Sequence, residues 1–184
     1  MIVFLAEGFE EIEAVTPVDI LRRGGVEVRT CSITPGERVV TGAHGVPFTA
    51  DLAPEDLPAR EDVIVLPGGM PGTLNLKKSR LVRDRLLALK DRGGILAAIC
   101  AAPTVLSCHG LLRGEIATCY PGMEGELDCA EVSREDVVLS GKVLTSRGPG
   151  TAAAFGFALL SLLRGPAKAD ELRRGMVFIG GGEA

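Results

Sequence analysis

Four short apolar runs constrain this chain more than any other feature. MIVFLA (1–6), VIVL (63–66), ILAAIC (95–100) and VLTS (143–146) are close to unbroken hydrophobic strings. A strand of that kind is buried on both faces, which requires a parallel sheet with helices on each side. The segments between them read as helices, turns and short β runs. Residues 9–24 are amphipathic and stop at Gly24-Gly25. Val26 to Ile33 alternate as a second strand, and residues 38–49 read as a hairpin around Gly42 and Gly45. Residues 79–92 (SRLVRDRLLALKDR) form a helix stopped by Gly93-Gly94. A helix is expected over 101–109, short strands within 114–146, a helix over 150–163 and a shorter one over 167–174. Alternation of this type predicts an α/β fold: a flavodoxin-like, doubly wound, mostly parallel sheet sandwiched by helices. No linker or repeat divides the sequence, so a single domain over residues 1–184 is expected.

Composition narrows the function. The formal net charge is −4, and aromatic residues make up 4% with no tryptophan. Neither specific nucleic-acid binding nor stacking on exposed bases is expected. MIVFLAEG reads as a first strand rather than a signal peptide, and no apolar run is long enough to span a bilayer. A cytoplasmic protein is expected. Five cysteines (31, 100, 108, 119 and 129) show no CxxC or Cys/His spacing, so neither a disulfide framework nor a metal or other cofactor is expected.

In open α/β sheets, ligands bind beyond the carboxyl ends of the strands. Four such ends carry chemistry here. At the first, ILAAICAAPTVL places Cys100 where a strand turns directly into a helix. That geometry presents the nucleophile in α/β-hydrolases, and a helix N-terminus favours a thiolate. The expectation is a reactive thiol with a lowered pKa, against the alternative of a small buried hydrophobe. At the second, Glu13 lies on the apolar stripe of Phe9, Thr16, Pro17 and Ile20, whereas Glu10 and Glu11 fall off it. A carboxyl on that stripe is costly unless it is partnered or protonated; protonated, it can donate to sulfur and move protons. At the third, VLPGGMPG has no phosphate-binding pattern, yet Gly68 and Gly69 let backbone N–H groups approach a ligand. The N–H groups of Gly69 and Ala101 are the candidate oxyanion hole. At the fourth, Arg147 before Gly148-Pro149-Gly150-Thr151 either holds the turn into a helix or places positive charge near the thiolate.

Together these features resemble the DJ-1/ThiJ/PfpI superfamily, above all its DJ-1 and bacterial ThiJ-like (YajL) branch. EGFEEIEAVTPVDILRRGG, VIVLPGGMPG, ILAAICAAPTVL and VLTSRGPGTA occur in the family's order and spacing over nearly the whole chain. The resemblance implies a homodimer, Cys100 as an oxidation-prone thiol, Glu13 as the acid that hydrogen-bonds it, and Gly69 and Ala101 as backbone donors. It implies Asp19 and Arg23 as a charged pair near a dimer-facing pocket. The implied activities are glutathione-independent glyoxalase action on 2-oxoaldehydes, deglycase action on glycated substrates, protection against oxidative stress and chaperoning. The chain departs from the pattern at two places. Tyr120 stands where many members have histidine, and Ala101 follows the cysteine where the peptidase branch has histidine. Without a histidine to protonate an amine leaving group, a peptidase or amidase is the weaker expectation. Of the two histidines, His109 is read as a late-helix residue and His44 as a hairpin residue that could face a partner's pocket. Cys108, inside the helix after the joint, is read as packing. The leading expectation is an aldehyde-directed enzyme using Cys100 and Glu13. The alternative is a redox sensor or chaperone whose Cys100 is oxidised to sulfinate, and the third is a small-molecule-binding module built on the glycine loops.

Overall fold

The computed structural model describes residues 1–178; the last six positions of the expected 1–184 domain lie outside them. The elements follow in the order β1 (Ile2–Leu5), α1 (Glu11–Arg23), β2 (Arg29–Ser32), β3 (Val39–Thr41), β4 (Pro47–Thr49), β5 (Val63–Leu66), α2 (Gly72–Lys78) and α3 (Arg80–Asp91). After these come β6 (Ile95–Ile99), α4 (Pro103–Cys108), β7 (Ile116–Ala117), β8 (Glu131–Val132), β9 (Val137–Ser140), β10 (Val143–Ser146), α5 (Ala152–Arg164) and α6 (Pro166–Gly175).

The main sheet has six strands in the order β2-β1-β5-β6-β10-β9. Its first five are parallel, and β9 joins the edge antiparallel to β10. The parallel part has the 2-1-3-4-5 order of a flavodoxin-like sheet, whose switch point lies between its first and third strands. Here those strands are β1 and β5. The apolar runs alternate faces as a pleated strand must. Val3, Leu5, Val65, Ala97, Ile99 and Leu144 pack into one buried layer with residues of α1 and α5. Ile2, Phe4, Ile64, Leu66, Leu96 and Ala98 pack into a second layer with residues of α2, α3 and α4. Neither face of the sheet is left to solvent, which is why the strands read as continuous hydrophobic strings.

The expected boundaries hold, with three differences. Strand β2 begins at Arg29, because the N–H of Val26 is still bonded to the Leu21 carbonyl at the end of α1. Helix α2, unread in the sequence, follows directly after Pro71 within the glycine-rich segment. Helix α4 is only six residues long and ends at Cys108, so Cys108 is exposed rather than packed. Outside the main sheet, β3 and β4 form the expected hairpin. Its root is tied to the β1–α1 loop by N–H bonds from Gly8 to the Thr41 carbonyl and from Ala43 to the Phe9 carbonyl, 2.8 Å each.

Candidate active site

Strand β6 stops at Ile99 and α4 starts at Pro103, so three residues make the whole turn. Cys100 takes it in the left-handed region, at φ +63°, a conformation that a side chain with a Cβ rarely adopts. The surrounding bonds enforce it. The Cys100 N–H donates to the Ser146 carbonyl at 2.9 Å, and the Cys100 carbonyl accepts from Tyr120 N–H at 2.8 Å. Backbone strain of this kind persists only where neighbours over-determine it, and it concentrates at functional sites. The elbow expected at the joint is therefore present.

Glu13 comes from the first turn of α1, and its side chain is fully buried. Its Oε2 accepts the Gly68 N–H at 2.8 Å, across the switch point between β1 and β5. Gly68 is required there, because a Cβ at that position would fall 2.8 Å from Glu13 Oε2 and 2.9 Å from Cys100 Cβ. The same two distances place Cys100 and Glu13 side by side around one glycine. Cys100 is the side-chain partner of the carboxyl, but Oε1 is buried without a completed hydrogen bond. A carboxylate oxygen in that position is costly; a proton on Oε1, directed at sulfur, removes the cost.

The electrostatics agree with a protonated acid. Burial is the largest influence on Glu13 and pushes its carboxyl up to about 7, with the Glu10 carboxylate adding to the rise; the bonds from Cys100 and Gly68 oppose it. The thiol behaves opposite to expectation. Burial first, and then the Glu13 carboxylate, push Cys100 up to about 12, while the N–H groups of Ala101 and Gly69 pull it down. The sequence reading relied on the dipole of the following helix. That helix is short and begins three residues on, so single N–H groups reach the sulfur in its place. The expected lowering of the thiol by the helix is thus overturned. What stands is a coupled pair that holds one proton between about 7 and about 12, shared by sulfur and carboxyl.

The remaining candidates separate. Gly69 and Ala101 direct N–H groups at the Cys100 sulfur, and Gly68 fixes the acid. Tyr120 lies beside the elbow through its backbone bond, and its half-exposed ring borders a groove of about 290 Å³ with Arg147 and the Gly148–Thr151 turn. Arg147 itself donates to the Arg134 carbonyl at 3.3 Å, and its charge acts on Cys119 rather than on Cys100. It holds the turn, and the reading of positive charge at the thiol is set aside. Asp19 and Arg23 form a solvent-facing i,i+4 pair at 2.8 Å, and no bond joins them to Cys100 or Glu13 among the described residues. His44 stands on the hairpin against Glu10 and Glu11 of its own chain. His109 follows the last residue of α4 as its cap. Sequence reasoning missed Glu10, whose burial comes from the hairpin docking over the helix start, a contact that periodicity within α1 does not encode.

Known proteins resemble the chain over nearly its whole length. The DJ-1/PfpI family model matches residues 1–162. Protein dj-1beta of Drosophila melanogaster is 38% identical over 179 residues, covering 96% of this chain and 95% of that protein. The glutathione-independent glyoxalase DJR-1.2 of Caenorhabditis elegans is 35% identical over 176 residues, covering 94% and 92%. Among solved structures, oxidized Toxoplasma gondii DJ-1 superposes with a TM-score of 0.93 at 34% identity, covering 97% of this chain and 98% of that one. A strained cysteine elbow, a buried acid across the switch point and likeness over nearly the full length lead to one conclusion: the chain belongs to the DJ-1/PfpI family.

Proposed function

We propose that this protein is a cysteine-dependent enzyme that removes reactive 2-oxoaldehydes, a glutathione-independent glyoxalase, with glycated groups as related substrates. One observation carries the reading. A buried acid pushed up to about 7 lies beside a cysteine, so that its ionised form is at hand near neutral pH to take the thiol proton, with backbone N–H groups directed at the sulfur. Glu13 takes the thiol proton as Cys100 sulfur bonds to the aldehyde carbon, and the carbonyl oxygen, stabilised by the N–H groups of Gly69 and Ala101, picks up that proton to give a hemithioacetal. Glu13 then removes the hydrogen on that carbon and returns a proton to the adjacent carbonyl carbon, while the hydroxyl proton passes to the neighbouring oxygen, leaving a 2-hydroxy thioester. Water cleaves the thioester, releasing the 2-hydroxy acid and restoring the thiol. Overall, aldehyde plus water becomes hydroxy acid, with no outside oxidant or reductant. With a free 2-oxoaldehyde no amine has to leave, so that reaction does not need the histidine that Ala101 and Tyr120 replace. The groove beside Tyr120 offers the substrate's far end a place to lie.

Among the described residues no helix is long and apolar enough to cross a membrane. A cytoplasmic homodimer is part of the proposal, supported by Ile12 and Val15, both exposed on α1, and Val46, exposed on the adjoining hairpin. The test is methylglyoxal consumption with lactate as product, measured on wild type, Cys100→Ser and Glu13→Gln. Cys100→Ser should abolish turnover, and Glu13→Gln should reduce it about 10²- to 10⁴-fold. Wild-type rates in Cys100→Ser would refute the mechanism.

A second reading, an oxidation sensor, draws on the open valence at Glu13 Oε1. A protonated Glu13 suits a sulfinate oxygen at Cys100 as well as it suits a thiolate.

A further inference from the structure

We infer that the groove beside the elbow is a subsite for a flat apolar group on the 2-oxoaldehyde, and that Tyr120 is the residue that selects it. The inference rests on the aldehyde-directed reading above and names the kind of aldehyde preferred: one whose carbonyls carry an aryl group rather than a methyl. Both walls of the groove hang on the backbone of Cys100. On one side the Cys100 carbonyl accepts the Tyr120 N–H at 2.8 Å. On the other the Cys100 N–H donates to the carbonyl of Ser146, directly before the Arg147–Thr151 segment that lines the groove. A group extending from a carbon bonded to the sulfur meets this groove beside it.

The Tyr120 ring is held in place by the absence of a side chain opposite. A Cβ on Gly148 would fall 3.3 Å from Tyr120 Cδ2 and 3.6 Å from Cε2, so the ring lies against the backbone of the turn. The Met123 N–H donates to the Tyr120 carbonyl at 3.1 Å and closes the chain after it. Tyr120 is nevertheless 47% exposed, so ring surface remains for a ligand.

The polar groups of the facing turn are already used. Thr151 Oγ1 accepts the Gly148 N–H at 3.1 Å and lies 2.7 Å from Ser146 Oγ. Ser146 Oγ donates to the Asp136 carbonyl at 2.7 Å, and the Arg147 guanidinium donates to the Arg134 carbonyl at 3.3 Å. Pro121 and Pro149 add apolar surface and offer no N–H. Asp136 and Arg147, both in the lining, have opposite signs, so the groove recruits neither an anion nor a cation. A polar far end would leave water for few free partners. A volume of about 290 Å³ accommodates a six-membered ring, whereas a methyl group leaves most of it unfilled. Aromatic rings also attract one another beyond the area they bury.

Tyr120 supplies its own probe. It is the chain's one tyrosine, and there is no tryptophan, so intrinsic emission reports this groove. The test has two arms, both on the whole protein. In the first, mandelate and lactate, the products expected from phenylglyoxal and methylglyoxal, are titrated against wild type. Mandelate should change the tyrosine emission at a concentration about 10-fold lower than lactate. In the second, kcat/KM for the two aldehydes is measured on wild type, Tyr120→Phe and Tyr120→Ala. Wild type should favour phenylglyoxal, Tyr120→Phe should keep that ratio, and Tyr120→Ala should lower it about 10-fold. A general loss of structure would lower both rates together and leave the ratio unchanged. Emission that responds to mandelate and lactate alike, or an unchanged ratio in Tyr120→Ala, would overturn the inference. Turnover of neither aldehyde, with mandelate still selected over lactate, would refute the aldehyde-directed reading while supporting the groove's preference for a flat group.

Discussion

Replacing Glu13 with glutamine should make the protein more stable, and only above acidic pH. Glutamine keeps the shape, and its carbonyl oxygen still accepts the Gly68 N–H that Glu13 accepts at 2.8 Å. What is lost is the ability to ionise. In the folded chain the Glu13 carboxyl is pushed from 4.5 up to about 7, chiefly by burial. The native state therefore holds a proton that the unfolded chain releases, and stability falls as pH rises through the interval from 4.5 to about 7. At about 1.36 kcal/mol per pH unit, the loss across that interval is about 3 kcal/mol. Below pH 4.5 both states are protonated and the carboxylic acid and amide should be nearly equivalent. Urea unfolding of wild type and Glu13→Gln, at one protein concentration and at several pH values, reads the difference directly. The variant's advantage should be under about 1 kcal/mol at pH 5 and about 3 kcal/mol at pH 8. The Cys100 thiol titrates far above this window, and the His44–Glu11 pair is common to both proteins and cancels. A difference that does not change with pH would show that the pocket does not desolvate the acid. A variant that becomes relatively less stable with rising pH would show that the Gly68 and Cys100 bonds outweigh burial, and the protonated-acid argument would fall.

Two further outcomes follow from the same geometry. Gly68→Ala forces a methyl group to within 3.0 Å of the Ala101 nitrogen as well as against Glu13 and Cys100. It should cost about 1–3 kcal/mol and slow alkylation of Cys100 by iodoacetamide; a neutral result would show that the elbow and the acid are not held by this contact. Graded peroxide followed by peptide mass spectrometry should add two oxygens at Cys100 first. Cys31 and Cys100 are both pushed up to about 12, but Cys31 is fully buried and only Cys100 has a buried carboxyl beside it to take the thiol proton; Cys108, although exposed, has only a backbone carbonyl as partner. Earlier oxidation of Cys108 would count against a sensor role for Cys100.

Much of this was legible because the signals are local. The strand runs of β1, β5, β6 and β10 mark burial on both faces through their own composition. Cys100 stands out because small residues flank it at a strand end, and Glu13 because it breaks an apolar stripe within one helix. Helix α2 escaped notice because seven residues after a Pro-Gly turn are too few to establish a period. Cys108 was misplaced because the expected helix 101–109 is three residues longer than α4, which ends at Cys108 and leaves that side chain exposed. The burial of Glu10, the partners of His44 and the direction of the thiol's shift all depend on the hairpin and the β5 loop meeting α1. No window of sequence contains those encounters.

The overturned expectation about Cys100 sharpens the functional argument. A thiol held anionic by a helix would need no partner, and Glu13 would then be an accessory. The structure gives the opposite balance: burial opposes charge on both groups, and each group's charge opposes the other's. The nucleophilic form is reached by moving a proton from sulfur to Glu13, so that a single negative charge passes from the carboxylate to sulfur, beneath the N–H groups of Gly69 and Ala101. No proton has to leave the pocket, and the total charge of the site stays constant. Pushing the carboxyl up from 4.5 to about 7 narrows the gap in proton affinity that this exchange must cross, and the N–H groups of Gly69 and Ala101, which pull the thiol down, narrow it further. The functional unit is therefore the pair, contributed by α1 and the β6–α4 turn and held together by Gly68. Removing either partner should leave a group that is inert at neutral pH for a different reason: a cysteine without its proton acceptor, or an acid without a nucleophile.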